Sequence, residues 1–372
     1  MKIGIVVPFS WSYWGGVVEH AENQAAALRA RGHEVKILMG HDPPGALTRF
    51  LHPRSGRHGQ LPAGVIPVGR SVVVPANGSL PNIVLSPRAI VRVRDVLRNE
   101  RFDVIHVHEP MTPVIANATL VFARCPLVAT WHAAGNLGWM RLAMPWWGFL
   151  VERVDARIAV SRLAAESARR WLGGEFDIVP NGVVIPDHAE AGGREHRVVF
   201  IGRHDARKGL PVLLRAWPEI RRRTGARLRL IGTDPLQYRL LQTRLRFDQD
   251  GIDVLGIVTN EVRTAELAAA KVFVSPALGG ESFGLVLVEA FATATPVVAS
   301  DIPGFSEVST PEAAALVPPG DAGALAEAVV GLLEDEPRRV AMGRAARALA
   351  EERYSWSDIA RRLEETYERV AI

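Results

Sequence analysis

The sequence predicts an α/β protein of two parallel-sheet domains facing each other across a cleft. Short β-rich runs alternate with amphipathic helical stretches along the chain, a pattern that implies parallel strands covered by helices on both faces. The alternation restarts after Gly192-Gly193, so the series occurs twice. Residues suited to ligand chemistry fall just past strand ends, where open parallel sheets bind their ligands.

In the first series strands are expected at Lys2 to Pro8, Glu34 to Met39, Val104 to His108, Leu127 to Trp131, Arg157 to Val160 and Asp177 to Val179. Helices such as Glu19 to Arg31 and Pro87 to Asn99 lie between them. The second series offers Arg197 to Ile201, Arg227 to Ile231, Val254 to Ile257, Val272 to Ser275 and Val297 to Ser300. Pro180 to Gly193, rich in Pro, Gly, Asn and Asp, reads as the linker. These signals give domains at 1–186 and 187–354 and a last segment at 355–372, which begins with helix-capping residues and continues amphipathically.

Composition agrees with two cores. A chain of 372 residues is long for one domain and comfortable for two, and 48% hydrophobic with 23% charged residues argues against disorder. The net charge of +4 permits acidic ligands or an anionic membrane surface, and nucleic acid is not expected as a partner. Cys125 is the single cysteine, so no intramolecular disulfide can form and a reducing, cytoplasmic setting is expected. Met1 to Phe9 passes into Ser10-Trp11-Ser12 without a long apolar region or a cleavage signature, and reads as a buried strand. Leu137 to Val151 is interrupted by Arg141 and Pro145 and is too short to span a bilayer.

The most informative stretch is Gly279-Gly280-Glu281-Ser282-Phe283-Gly284, which opens an apolar helix carrying Glu289. A helix start leaves backbone N–H groups unpaired and partly positive, a natural seat for phosphate, and glycines let a ligand approach closely. Glu281 and Glu289 would repel phosphate and are suited to accept hydrogen bonds from hydroxyls of the same ligand. Phosphate plus hydroxyls describes a nucleotide-sugar. After the strand ending at Ile201, the run Gly202-Arg203-His204-Asp205-Ala206-Arg207-Lys208-Gly209 sets Arg203 and Lys208 where they can meet a diphosphate; the other reading is a solvated basic turn.

Three further features have two readings each. Gly15-Gly16-Val17, before a helix with Glu19 and His20, is a phosphate-binding turn or a plain tight turn, and without G-x-G-x-x-G order NAD is not favoured. His132 ends a strand, where it could contact a sugar hydroxyl or be structural. His106, His108 and Glu109 fall within four residues, with the two histidines on one strand face, but no second ligand cluster accompanies them and no metal is expected.

Together, Gly15-Gly16, Val107-His108-Glu109-Pro110, Thr130-Trp131-His132, Val179-Pro180-Asn181-Gly182-Val183, Gly202-Arg203 with Lys208-Gly209, and Gly280 to Gly284 with Glu289 resemble a retaining family-four glycosyltransferase of GT-B fold. The resemblance covers nearly the whole chain. It is greatest to bacterial phosphatidylinositol mannosyltransferases, through Val74 to Ser79, Leu85-Ser86-Pro87 and His108-Glu109-Pro110. Val18, Ala76 and Asn82 depart from that subgroup's glutamine, tyrosine and arginine, and these departures bear on the acceptor.

The resemblance implies two Rossmann-like domains, an N-terminal one for the acceptor and a C-terminal one for the donor, with residues 355–372 crossing back to the first. It implies that Arg203 and Lys208 bind the diphosphate, Glu281 the hexose hydroxyls and Glu289 the ribose, within a loop of Gly280, Ser282, Phe283 and Gly284. Gly16 would offer a backbone N–H near the diphosphate, His132 would touch the hexose near its anomeric carbon, and Asn77 and Ser79 would join His132 on the acceptor side. Retention of configuration, no cofactor and no metal are implied. So are GDP-mannose as donor, with a UDP-hexose second, and a lipid or polyol acceptor at the inner face of the plasma membrane. A nucleotide-sugar epimerase and a noncatalytic nucleotide-sugar binding protein are the alternatives.

A membrane reading also attaches to the helix carrying Arg88, Arg92, Arg94 and Arg98, with Arg101 just beyond, opposite an apolar stripe of Ala89, Ile90, Val93, Val96 and Leu97. Trp139, Met140, Trp146, Trp147 and Phe149 offer an aromatic segment suited to an interface or lipid groove. The competing reading is a solvated helix beside buried tryptophans.

Overall fold

The computed structural model describes residues 1–13, 15–45, 48, 60–74, 81–132, 144–187, 193–203, 205–245 and 250–371, with backbone only at 144–146 and 244–245. The chain divides into two compact units, Met1–Gly182 with Trp356–Ile372, and Val183–Ser355. The two crossing points lie side by side, since the Val183 N–H donates to the Tyr354 carbonyl at 2.7 Å and Val183 bridges Ser355.

Unit 1 contains β1 (Lys2–Ser10), β2 (Glu34–Gly40), β3 (Val65–Gly69), β4 (Ser71–Val73), β5 (Asn82–Val84), β6 (Val104–His108), β7 (Leu127–Trp131), β8 (Ala156–Ala159) and β9 (Asp177–Ile178). Its helices are α1 (Gly16–Ala30), α2 (Pro87–Glu100), α3 (Ile115–Phe122), α4 (Met144–Val151) and α5 (Arg162–Leu172). The strand order is β3-β2-β1-β6-β7-β8-β9, all parallel, with the antiparallel pair β4/β5 attached to β1. β1 is buried through Ile3 to Val7 because parallel neighbours and helices cover it on both sides.

Unit 2 contains β10 (Glu195–Ile201), β11 (Arg227–Ile231), β12 (Ile252–Gly256), β13 (Ala270–Ser275), β14 (Val297–Ser300) and β15 (Ala314–Val317), in the parallel order β12-β11-β10-β13-β14-β15. Its helices are α6 (Leu210–Thr224), α7 (Pro235–Leu245), α8 (Asn260–Ala269), α9 (Leu285–Ala292), α10 (Pro303–Ser306), α11 (Ala322–Glu334) and α12 (Glu336–Arg353). The last helix, α13 (Trp356–Ala371), belongs to unit 1. No helix of the described residues is long and apolar enough to cross a membrane.

Each strand expected from the sequence is present, with ends shifted by a few residues, but β3, β4, β5 and β15 were not anticipated. β3 contains Pro67, which cannot donate to a ladder and is tolerated because β3 ends the strand path. β4 and β5 have three residues each, and the Ala-Ala-Leu-Val of β15 lacks the branched or aromatic run that marks a strand. On α2 the buried residues are Ala89, Val93 and Val96, whereas Ile90, assigned above to the inward stripe, is 38% exposed. It lies one step, or 100°, beyond Ala89, and Val91 is exposed beside it.

In unit 2 one guanidinium joins two helix ends. Arg194 donates to the carbonyls of Leu267, Ala268 and Ala270 at the end of α8, to those of Thr293 and Ala294 after α9, and to the Thr295 hydroxyl. Helix C-termini hold unpaired carbonyls and partial negative charge, so a cation is well matched there without a carboxylate partner. Burial, with Arg339 nearby, pulls its pKa down to about 10, which leaves it charged at neutral pH.

In unit 1, α1 and α13 share a seam. Val18, Ala21, Ala25 and Leu28 of α1 and Ile359, Leu363 and Tyr367 of α13 recur three or four residues apart and join one apolar cluster. Inside it, the Tyr367 hydroxyl lies 2.6 Å from His106 Nδ1 and accepts from Gln24 Nε2 at 2.9 Å, while His106 Nε2 lies 2.7 Å from the Thr130 hydroxyl. Burial, and secondarily His132, lowers the His106 pKa to about 3.

Acid should therefore loosen unit 1. Unfolded histidine binds a proton near pH 6.5, whereas native His106 resists it to about 3. The unfolded state binds more protons in that window, so stability is present above pH 6.5 and falls as pH drops, by about 1.4 kcal/mol per pH unit for this group. Urea unfolding at pH 7.5 and 5.0 should show His106 contributing a loss of about 2 kcal/mol, absent in His106→Gln. Equal pH slopes in the two proteins would refute this.

Candidate active site

Strand order reverses its direction of growth at β1/β6 in unit 1 and at β10/β13 in unit 2. Crossovers leave to opposite sides at such a point, opening a crevice outside the carboxyl ends of the two strands. In unit 2 the segments there are 202–209 and 276–284, and in unit 1 they are 11–16 and 109–114, with β7 ending at Trp131 beside the latter and His132 following it.

The two segments of unit 2 are fitted together by backbone. Asp205 caps the short turn Ala206–Lys208, accepting from the Arg207 N–H at 2.9 Å and from its guanidinium at 2.6 Å. The Arg207 hydrogen bond, with further contributions, holds the Asp205 carboxyl below its usual range. The Leu278 N–H donates to the Arg207 carbonyl at 2.7 Å. A Cβ on Gly209 would collide with the Pro276 carbonyl oxygen, and one on Gly304 with that of Glu281, so glycine is required at both positions for this contact.

The charged side chains pair on this frame. Lys208 Nζ lies 2.8 Å from Glu281 Oε1, and Arg263 Nη2 on α8 donates to Glu289 Oε1 on α9 at 2.8 Å. All four are partly shielded, whereas Arg203 is exposed. Gly280 and Gly284 take left-handed backbone at φ 72° and 83°. Ser282 is half-buried between them, and Phe283 is buried with its ring edge-on to Tyr354, so only its backbone can meet a ligand. Arg207 and Arg263 were missed as site residues: the first looked like one more basic turn residue, and the second sits on an ordinary amphipathic helix.

Unit 1 gathers histidines. His106 and His108 share a face of β6 and stack with ring centroids 4.7 Å apart. His108 Nδ1 lies 2.8 Å from His132 Nε2, and Glu109 Oε1 accepts from the His132 backbone N–H at 3.0 Å. His20, on α1, stands edge-on to His108, His132 and Trp356. Burial, reinforced by neighbouring rings, keeps His20 and His108 well below the ordinary histidine pKa, and burial lowers His132 to about 4 against a weak opposing hydrogen bond to Asn181. All are neutral at pH 7.

One ring nitrogen from each of His20, His108 and His132 falls within 4.8 Å of the others, the only such group among the described residues that could hold a metal. Two nitrogens on one tetrahedral metal with ~2.0 Å bonds would stand about 3.3 Å apart. The His108–His132 pair is closer, at hydrogen-bond distance. Gly16 is exposed at the start of α1, where no side chain caps the helix. Asn77 and Ser79 lie outside the described residues, as do Ala76, Trp139 and Met140 and the side chain of Trp146. Trp147 is buried, bonded to Asn117, while Phe149 is exposed.

Two family models match the chain: Glycosyltransferase Family 4 over residues 14–185 and Glycosyl transferases group 1 over residues 195–335. The phosphatidyl-myo-inositol mannosyltransferase of Mycobacterium leprae is 36% identical over 396 residues, covering 100% of this chain and 97% of that protein. Among solved structures, the sucrose-phosphate synthase of Thermosynechococcus elongatus has a TM-score of 0.74 at 20% identity, covering 99% of this chain and 98% of that one. Anabaena HepE in complex with UDP and glucose has a TM-score of 0.73 at 20% identity, covering 99% of both. The likeness to these structures shows a shared fold, and the identity to the mycobacterial enzyme shows descent: the chain belongs to the family-four glycosyltransferases of GT-B fold.

Proposed function

We propose that this glycosyltransferase moves mannose, with retention and without a metal, from GDP-mannose to a phosphatidylinositol-like membrane lipid. Mannosyl transfer to such a lipid is supported by the relatives' name and by identity over the whole chain. The observation that carries the donor half is the pairing of Lys208 with Glu281 and of Arg263 with Glu289 beside the switch point of unit 2. Two carboxylates held by two cations form a ready acceptor set for sugar and ribose hydroxyls, and Lys208 with exposed Arg203 supplies positive charge for a departing diphosphate.

Unit 2 then binds the donor and unit 1 serves the acceptor. Charge builds on the leaving diphosphate as the glycosidic bond breaks, and Arg203 and Lys208 stabilise it. The acceptor hydroxyl attacks from the same face, its proton passing to the leaving phosphate, while neutral His132 orients the hexose. Val18 is 2% exposed within the apolar core of unit 1, so its position supplies no polar group to the acceptor. Recognition of the polyol falls to other residues, among them Asn77 and Ser79. A panel of GDP-mannose, UDP-glucose and UDP-GlcNAc, assayed with and without phosphatidylinositol and with EDTA, tests the assignment. Lipid-dependent transfer from GDP-mannose that survives EDTA is expected, and an isomerised nucleotide-sugar formed without lipid would point to an epimerase instead.

Arg203→Ala and Lys208→Ala should each lower turnover at least about a hundredfold, or about 2.7 kcal/mol of transition-state stabilisation. Because Lys208 is paired with Glu281, Lys208→Ala combined with Glu281→Gln should fall well short of additive. Near-normal turnover in either alanine variant sinks the diphosphate assignment.

Glu281→Gln should act mainly on kcat and Glu289→Gln mainly on donor KM, since the first meets the reacting sugar and the second the ribose. Matching changes in both constants would contradict that division.

Docking is proposed to the cytoplasmic, anionic face of the membrane through α2. Arg88, Arg92 and Arg98 are exposed there with Ile90 and Val91, and Arg101 follows the helix. At about 1 kcal/mol per arginine near anionic lipid, binding should be reversible and screened by salt. Sedimentation with phosphatidylglycerol vesicles at low salt should retain the protein and lose it after charge removal at Arg88, Arg92 and Arg98. Indifference to both salt and these substitutions would reject the surface.

A further inference from the structure

His106 and His108 stand two residues apart on β6, yet their rings are satisfied differently. His106 engages both nitrogens, Nδ1 with the Tyr367 hydroxyl and Gln24 and Nε2 with the Thr130 hydroxyl. His108 engages one. Its Nδ1 meets His132 Nε2 at 2.8 Å, while its Nε2 is buried with no hydrogen-bond partner among the described residues. The next residue also holds His132: Glu109 Oε1 accepts from its backbone N–H, and Glu109 takes a left-handed φ of 51°, a conformation that costs a non-glycine residue about 1 kcal/mol or more. Consecutive residues thus clamp His132 at ring and backbone.

Only one hydrogen fits between His108 Nδ1 and His132 Nε2, and two neutral rings can place it in two ways. If His132 Nε2 carries it, neutral His108 must carry its own hydrogen on Nε2, a buried N–H with no acceptor. If His108 Nδ1 carries it, His108 Nε2 keeps a bare lone pair. Buried donors without acceptors are rarer than under-used acceptors and cost more. We infer that His108 donates from Nδ1 to His132 Nε2 and thereby fixes His132 as the Nδ1–H tautomer, making His108 a positioning residue for transfer.

This rests on the assignment of His132 to the reacting sugar. It specifies what His132 brings there: its ring hydrogen sits on Nδ1 and its one basic nitrogen is occupied, so any ring hydrogen bond it makes to the sugar or acceptor is a donated one. His132 therefore cannot take the acceptor's proton while the clamp holds.

The wild-type tautomer can be read directly by two-bond 15N–1H correlation of histidine-labelled protein, with His132 signals identified by their loss in His132→Gln. Protonated Nδ1 and bare Nε2 are expected, and the reverse pattern overturns the inference without any folding question. His108→Asn places an amide donor where Nδ1 was, whereas His108→Asp offers only acceptors. Relative to wild type, His108→Ala and His108→Asp should lower kcat about tenfold or more with donor KM little changed, and His108→Asn should restore most of the loss. In His108→Asp the His132 proton should move to Nε2, and full kcat with the proton moved would overturn the functional half. If His132→Ala itself transfers normally, the role of His132 fails while the tautomer assignment stands or falls on the spectra.

Discussion

The constraint on which the site depends is the reversal of strand order in each parallel sheet. A right-handed crossover must leave β1 toward β2 on one side and reach β6 on the other, and the same holds for β10 with β11 and β13. The loops at those four strand ends cannot be covered by their own helices. Most residues placed in the site are on such a loop, at the end of β6 or just past β7, or on the helix that follows; Arg263, on α8 after β12, joins them through its pair with Glu289. The topology chooses the location, and local sequence chooses only the chemistry.

In unit 2 that chemistry is held by close backbone approach more than by side-chain packing. Gly209 against the Pro276 carbonyl and Gly304 against the Glu281 carbonyl fix the two loops in one register. Lys208 and Glu281 then face each other without a long search of rotamers. Arg194 secures the far ends of α8 and α9 through five carbonyls, and these helices carry Arg263 and Glu289. A cation that satisfies helix ends is therefore structural support for a pair one or more turns away.

The two sheets were legible in the sequence because buried parallel strands write continuous apolar runs, as in β1 and β13. β3 and β15, at the ends of their strand paths, were not, since such strands need neither that run nor a full set of donors. Glu281, Glu289, Arg203 and Lys208 could be picked out from a glycine loop and a basic turn next to strands. Arg263 could not, because its partner Glu289 lies 26 residues away and the two meet only through the packing of α8 on α9. The histidine pair of β6 was visible as a pair on one face, but its meaning required β7 and α1, which bring His132 and His20 alongside.

The two units also divide electrostatic labour. Unit 2 presents paired charges, suited to a ligand that gains negative charge as it leaves. Around His132, unit 1 presents imidazoles that burial keeps neutral, as it does their neighbour His106. Burial around β6 therefore sets the chemistry of that surface: imidazoles kept from protonating at neutral pH can exchange hydrogen bonds but bring no charge.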